Sequence, residues 1–234
     1  MHARELFQAG RLDEAIASLG VELRSNPTDP QRRAFLFELL SFAGNHDRAE
    51  KQLDVLAGNS AESGIGALTL KAALQADRLR SEMFTSGNLP TGPAPRPVSG
   101  TLNGQPFTTL EDADPRIGAR LEVFAGGQYL WLPLEHVATV RSERPSRLRD
   151  LLWAPAKLMT GPGFRGLELG DVLLPVLTPL AAQHADPQVR LGRVTVWEEL
   201  PDGQVAPAGQ KMLLVDGEEV PLLDVRELVI TAAA

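Results

Sequence analysis

The chain has 234 residues, 43% of them hydrophobic and 23% charged, with a net charge of −7 that divides into −2 over residues 1–86 and −5 over the rest. This is the composition of a globular protein able to bury a core, and without a basic stripe it sets aside nucleic acid and anionic membrane as partners. Cysteine is absent, which removes disulfides, thiolate nucleophiles and thiolate metal sites together.

The opening residues, MHARELFQAGRLDEA, are charged from the start and hold no apolar leader core. No apolar run approaches the ~18 residues needed to span a bilayer, so a cytoplasmic location is expected. LFQAGRLDEA (residues 6–15) and LSFAGNHDRA (residues 40–49) are two copies of one pattern, offset by 34 residues. That offset is the period of a tetratricopeptide-type helix–turn–helix repeat. Gly10 and Gly44 fall between helical stretches, where a left-handed turn suits glycine. The spacing predicts helices over residues 2–9 and 13–25, with Asn26-Pro27 as a stop. A third helix opens at Asp29-Pro30, the aspartate capping and the proline in the first turn, and runs to Ala43. A fourth covers Asp47 to Leu56, and a fifth, Gly66 to Phe84, carries Leu68, Ala72, Leu79 and Met83 on one side and is expected to cover the last exposed face of the stack.

Residues 87–99, with four prolines and two glycines in thirteen positions, propagate neither helix nor central strand and read as a linker. Beyond it the helical period gives way to short strand-like runs. Leu121–Phe124 and Tyr129–Leu132 flank Gly126-Gly127; Arg193–Glu199 and Val205 flank Pro201-Asp202-Gly203; Met212–Val215 and Val220–Leu223 flank Asp216-Gly217. Each is a hairpin signal. A short helix is expected over Ser146–Leu152. The fold class is therefore α+β: tetratricopeptide-like helices over 1–86, the linker at 87–99, and a β-rich, mostly antiparallel domain over 100–234.

Chemistry-bearing patterns are few. Gly161-Pro162-Gly163-Phe164-Arg165-Gly166 has G-x-G-x-x-G spacing, but a helical segment is expected before it, Leu167-Glu168-Leu169-Gly170-Asp171 follows it, and Pro162 lacks an N–H, so it reads as a turn. The four histidines, His2, His46, His136 and His184, show no i, i+4 pairing of the zinc type. The run Glu111-Asp112-Ala113-Asp114 reads as a solvated loop whose aspartates cap turns. Neither a metal nor a cofactor is expected. Trp153 and Trp197 read as core packing of the β domain, with interface anchoring as the other possibility; Arg190 and Arg193 are placed near Trp197 to stack on it or to clamp a carboxylate.

The third helix, AFLFELLSFA over Ala34–Ala43, is apolar nearly all round and must be covered on several sides. One account sandwiches it between repeat partners and the β domain. The other leaves part of Phe35, Phe37, Leu39 or Phe42 lining a groove for a partner helix. The candidate partner-binding residues are accordingly Arg33, Phe35, Phe37, Glu38, Phe42 and Arg48, with Arg32 among the charges that set orientation.

With GRLDEAI, NPTDPQRRAFLFELLSFAG and DRAEKQLDVL in the first half, and DLLWAPA, RLGRVTVW, APAGQKMLLV and LLDVREL in the second, the chain resembles the type VI secretion accessory family called ImpE or TagJ over nearly its whole length. His46 departs from the aromatic residue that the resemblance leads one to expect there. The resemblance implies a non-enzymatic bacterial protein that binds the amino-terminal helix of the small contractile-sheath subunit and assists the ATPase that disassembles contracted sheath. Two alternatives differ in class: a hydrolase built on His136 or His184 with a distant carboxylate, and a structural module holding a homo-oligomer together.

Overall fold

A computed structural model describes residues 2–58, 61–92, 94–161, 164 and 169–231. Five helices come first: α1 (Ala3–Gln8), α2 (Leu12–Ser25), α3 (Pro30–Phe42), α4 (His46–Ala57) and α5 (Ala61–Ser86). The two repeat turns superimpose bond for bond. Arg11 N–H donates to the Leu6 carbonyl at 2.9 Å and Asn45 N–H to that of Leu40 at 2.8 Å, while Gly10 and Gly44 N–H groups close the inner turn onto Phe7 and Ser41 at 2.9 and 3.0 Å. This is the paired hydrogen bonding that satisfies the last carbonyls of a helix through a left-handed residue. Gly10 and Gly44 have φ of +77° and +64°. Asp29 caps α3 by accepting from Arg32 N–H at 3.0 Å, with Pro30 in the first turn.

The strands follow: β1 (Ser99–Leu102), β2 (Gln105–Phe107), β3 (Leu110–Asp112), β4 (Arg120–Ala125), β5 (Gln128–Pro133), β6 (Val137–Ser142), β7 (Trp153–Thr160) and β8 (Gly170–Pro175). After a four-residue helix, α6 (Pro187–Arg190), come β9 (Val196–Glu199), β10 (Val205–Ala208), β11 (Met212–Val215), β12 (Glu218–Pro221) and β13 (Glu227–Thr231). They form an eight-stranded sheet in the order β2-β1-β13-β6-β7-β8-β4-β5, a three-stranded sheet β12-β11-β3, and the separate hairpin β9–β10, antiparallel throughout. The predicted hairpins at 126–127, 201–203 and 216–217 are all present; the short helix is a single 3₁₀ turn, Leu148–Leu151. Strand β7, not the expected helical segment, leads into the Gly161–Gly166 motif, because the 3₁₀ turn ends at Leu151; most of the motif itself lies outside the described residues.

Two cores form. One gathers the helices with Phe124, Leu152, Trp153, Leu177, Ala181 and Leu191, so the sheet completes the helical core. The other lies on the opposite side of the large sheet, where Val123, Val140, Leu158 and Leu174 pack with Leu110 and Leu213 of the small one. Strand β4 serves both, Val123 facing one core and Phe124 the other, as the two-residue period of a strand requires.

Both repeat turns are clasped by the segment between β8 and β9. A Cβ on Gly10 would fall 1.8 Å from Gln188 Nε2, and one on Gly44 would fall 3.0 Å from the Ala182 Cβ. Nearby, Arg190 reaches Asp13 at 2.8 and 3.1 Å, and Arg193 donates to the Phe7 and Gln8 carbonyls at 2.8 and 3.0 Å with its guanidinium over the Phe7 ring. Gly10→Ala is therefore expected to destabilise the chain by about 1–2 kcal/mol, because a left-handed backbone strains any side chain and Gln188 must also move. Urea unfolding checks this; a change near zero would mean that the turn relaxes without penalty.

Helix α5 departs from expectation in its orientation. Leu68 and Leu79 of the predicted stripe are 68% and 38% exposed, whereas Ala67, Ala73, Leu74, Ala76 and Phe84 are buried. α5 lies against both α4 and the sheet, so small side chains serve its contact faces and some of its leucines face outward.

Candidate functional site

The six residues predicted on and after α3 divide. Phe37 and Phe42 are each 1% exposed, and Phe37 packs on Trp153 with ring centroids 6.1 Å apart. Phe35 is half-buried, edge-on to Phe7 at 5.7 Å with Arg4 above it. Arg33 is tied to the Pro27 carbonyl at 2.7 Å and to Gln52 at 2.9 Å. Glu38 is half-buried beside Arg149 and Asp150; burial raises its carboxyl above the ordinary value, with Arg149 opposing. Arg48 is exposed on α4. The apolar circumference of α3 is thus covered by α2 and α4, with Trp153 of the sheet closing over Phe37.

A buried ionic cluster joins α5 to the sheets, and no motif announced it. Arg80 donates from Nε and Nη2 to the two oxygens of Glu122 at 2.6 and 2.8 Å, and from Nη2 to the Leu177 carbonyl at 3.0 Å. Lys211 Nζ bonds Asp112 and lies 2.5 Å from Glu122. The Tyr129 hydroxyl donates to Glu122 and accepts from Trp131 Nε1. All four charged residues are buried, and two cations balance two anions. Burial works against the Glu122 charge, but Arg80 and then Lys211 override it and hold the carboxyl below its ordinary value. For Asp112 burial prevails over the attraction of Lys211, Glu122 adds repulsion, and the carboxyl is raised. The cluster is sealed, so it is suited to joining layers rather than meeting a substrate. The signal in the sequence was a lone carboxylate inside Leu121-Glu122-Val123-Phe124, a strand buried on both faces.

The acidic run at 111–114 is corrected by the same geometry. Leu110–Asp112 is strand β3, and Asp112 and Asp114 are 4% and 0% exposed. They do brace turns, Asp112 accepting from Asp114 N–H and Asp114 from Arg116 N–H, each at 3.0 Å. They are not solvated, because Lys211 and Arg116 supply the cations that permit burial.

The feature best shaped to receive another molecule is a cleft of about 730 Å³ between α5 and the large sheet. Thr69, Ala72 and Ala73 of α5 form one wall, and Phe124, Pro155 and Leu173 contribute an apolar floor. It opens where β4 and β8 pair only at Phe124–Leu173. Arg141, Glu143, Lys157 and Asp171 stand at its sheet side. At its helix side the exposed Ile65 and Leu68, 70% and 68% accessible, continue the line of Ala72 at i, i+3 and i+7.

The sequence profile of the family described as "ImpE protein" matches residues 104–229. The chain is also 34% identical to the type VI secretion system accessory component TagJ of Pseudomonas aeruginosa PAO1, covering 97% of this chain and 90% of that protein. The chain belongs to the ImpE family. The crystal structure of protein VPA1032 from Vibrio parahaemolyticus has the same fold, with a TM-score of 0.85 at 20% identity over 98% of this chain and 97% of that one.

In this ImpE-family chain the histidines are engaged. His184 accepts from Asp186 N–H at Nδ1 (2.9 Å), so Nε2 carries the proton directed at Glu198 3.1 Å away, and neither nitrogen is left to act as a base. The cavity of about 390 Å³ beside it is lined by no hydroxyl, thiol or amine side chain. His136 lies against Phe164 with ring centroids 5.7 Å apart. His46, at the position expected to be aromatic, meets Asp77 at 3.1 Å and ties α4 to α5 beside a cavity of only about 120 Å³. Trp153 is buried as expected, but Trp197 is 40% exposed on hairpin β9–β10, and Arg190 and Arg193 turn away from it to grip α1 and α2. Among the described residues no helix is long and apolar enough to cross a membrane, and no group of three or more histidine or acidic side chains is placed to hold a metal ion.

Proposed function

We propose that the chain is a non-enzymatic, cytoplasmic adaptor of a type VI secretion system, and that it takes up an amphipathic helix, the amino-terminal helix of the small contractile-sheath subunit, in support of the ATPase that disassembles contracted sheath. Family membership and the name of the Pseudomonas relative supply the system. The observation that carries the helix-binding reading is the apolar cleft between α5 and the sheet, continued by Ile65 and Leu68. Burial of apolar side chains at about 25 cal/mol per Å² gives such a cleft its affinity, and an apolar helix face laid into a groove is a recurrent mode of recognition. The cleft, rather than the solvent edge of α3, is proposed as the seat, since Phe37 and Phe42 are enclosed.

The test is titration of the purified chain with a synthetic peptide of the sheath subunit's first helix, followed by calorimetry. The expected dissociation constant is about 1–10 μM, near −7 to −8 kcal/mol. No binding at several hundred micromolar would remove this reading.

A further inference from the structure

The rim of the cleft defines how a helix lies in it and what charges that helix carries; this inference rests on the helix-binding reading above. Four charges stand in one register row across the sheet: Glu227 on β13, Arg141 on β6, Lys157 on β7 and Asp171 on β8. Arg141 and Glu227 pair with each other at 2.7 Å. Lys157 and Asp171 are both exposed register partners lining the cleft, yet neither makes an ion pair among the described residues. Along β7 the neighbours of Lys157 on the same face are Pro155 and Met159, the latter 62% exposed, so charge changes sign from β7 to β8, whereas apolar surface runs along β7.

Adjacent strands lie about 4.8 Å apart, and side chains at i and i+4 on a helix lie about 5–6 Å apart. A helix crossing β7 and β8 therefore matches the alternation of Lys157 and Asp171 step for step. One running along the strands would meet a single charge followed by Pro155 or Met159. We propose that the bound helix crosses β7 and β8, sets its apolar stripe against Leu68, Ala72 and Leu173, and carries on one flank an acidic residue for Lys157 and a basic residue one turn away for Asp171.

The probe is the same sheath-subunit peptide, with a second peptide in which the acidic and basic residues of that flank are exchanged. Lys157→Glu and Asp171→Lys are each expected to weaken the native peptide about five- to tenfold. The double variant Lys157→Glu/Asp171→Lys is expected to prefer the exchanged peptide. Both positions are exposed, and an unchanged melting temperature confirms that the fold is kept. Ala72→Trp, which fills the cleft, tests occupancy of the cleft separately from the charges at its rim. If Ala72→Trp abolishes binding while both charge reversals stay within twofold of the parent, the crossing geometry is overturned and the cleft survives. If the parent binds neither peptide, the helix-binding reading fails and this inference falls with it.

Discussion

Glu122→Gln is expected to cost about 3–5 kcal/mol, because it leaves Arg80 and Lys211 buried without the anion they share. The large value follows from enclosure: Glu122 is 2% exposed and accepts from Arg80 and Tyr129 as well as standing against Lys211, so the neutral amide leaves Lys211 with Asp112 and Arg80 with the Leu177 carbonyl. Replacing Arg80 and Glu122 together with Met and Leu is expected to recover part of the loss, since a well-packed apolar pair pays no desolvation. The acid limb carries a second signature. The carboxyl of Glu122 is depressed in the fold, so its contribution is present above the ordinary carboxylate pKa and is lost as pH falls towards the lower folded value. Asp112 is raised and has the opposite sign: its charge is a penalty at neutral pH, relieved as pH falls through its folded value towards its ordinary one. Urea denaturation from pH 7 to pH 3 should therefore show the parent losing stability at the acid end faster than Glu122→Gln. A cost below about 1 kcal/mol at pH 7 would mean that water reaches the cluster.

Phe37→Ala is expected to destabilise by about 3–5 kcal/mol, the range for removing a fully buried phenylalanine. The ring sits where α3 meets Trp153 of β7, and an aromatic pair adds about 0.5–1.5 kcal/mol beyond its area. Because the helices and these sheet residues share one core, the loss should lower the single unfolding transition seen by both far-ultraviolet circular dichroism and tryptophan fluorescence. A partner-facing phenylalanine would behave in the opposite way, keeping stability and losing affinity. Full stability in Phe37→Ala would return α3 to the list of docking surfaces.

The helical half was legible because its rules are local. A 34-residue offset, two glycines and the Asp29-Pro30 start fix turns and caps from neighbours alone, and each sits where the pattern put it. Hairpins were legible for the same reason. Strands β1 and β13 were not, because they pair with each other across more than 120 residues; β6, β7 and β8 pair with their neighbours in the chain, but the connections between them carry no tight-turn signal of the hairpin kind. The burial of Asp112 and Asp114 was hidden likewise, since Lys211, which neutralises Asp112, is 99 residues away. The orientation of α5 was misread because Leu68 and Leu79 look like core by type, and only the sheet decides which face is covered. The cleft had no signature in the sequence, as its walls come from α5, β4, β7 and β8.

The clasp of residues 182–193 on the repeat turns also sets a timetable for synthesis. At about 5–20 residues per second, roughly 7–28 s pass between emergence of the second repeat and emergence of its clasp. For the greater part of that interval Phe37 awaits Trp153, and throughout it the two turns stand open beside the ribosome. Greasy surface left uncovered for so long invites association with other nascent chains, so the early helices are where a chaperone would be needed, and slow translation of the final third would prolong that need.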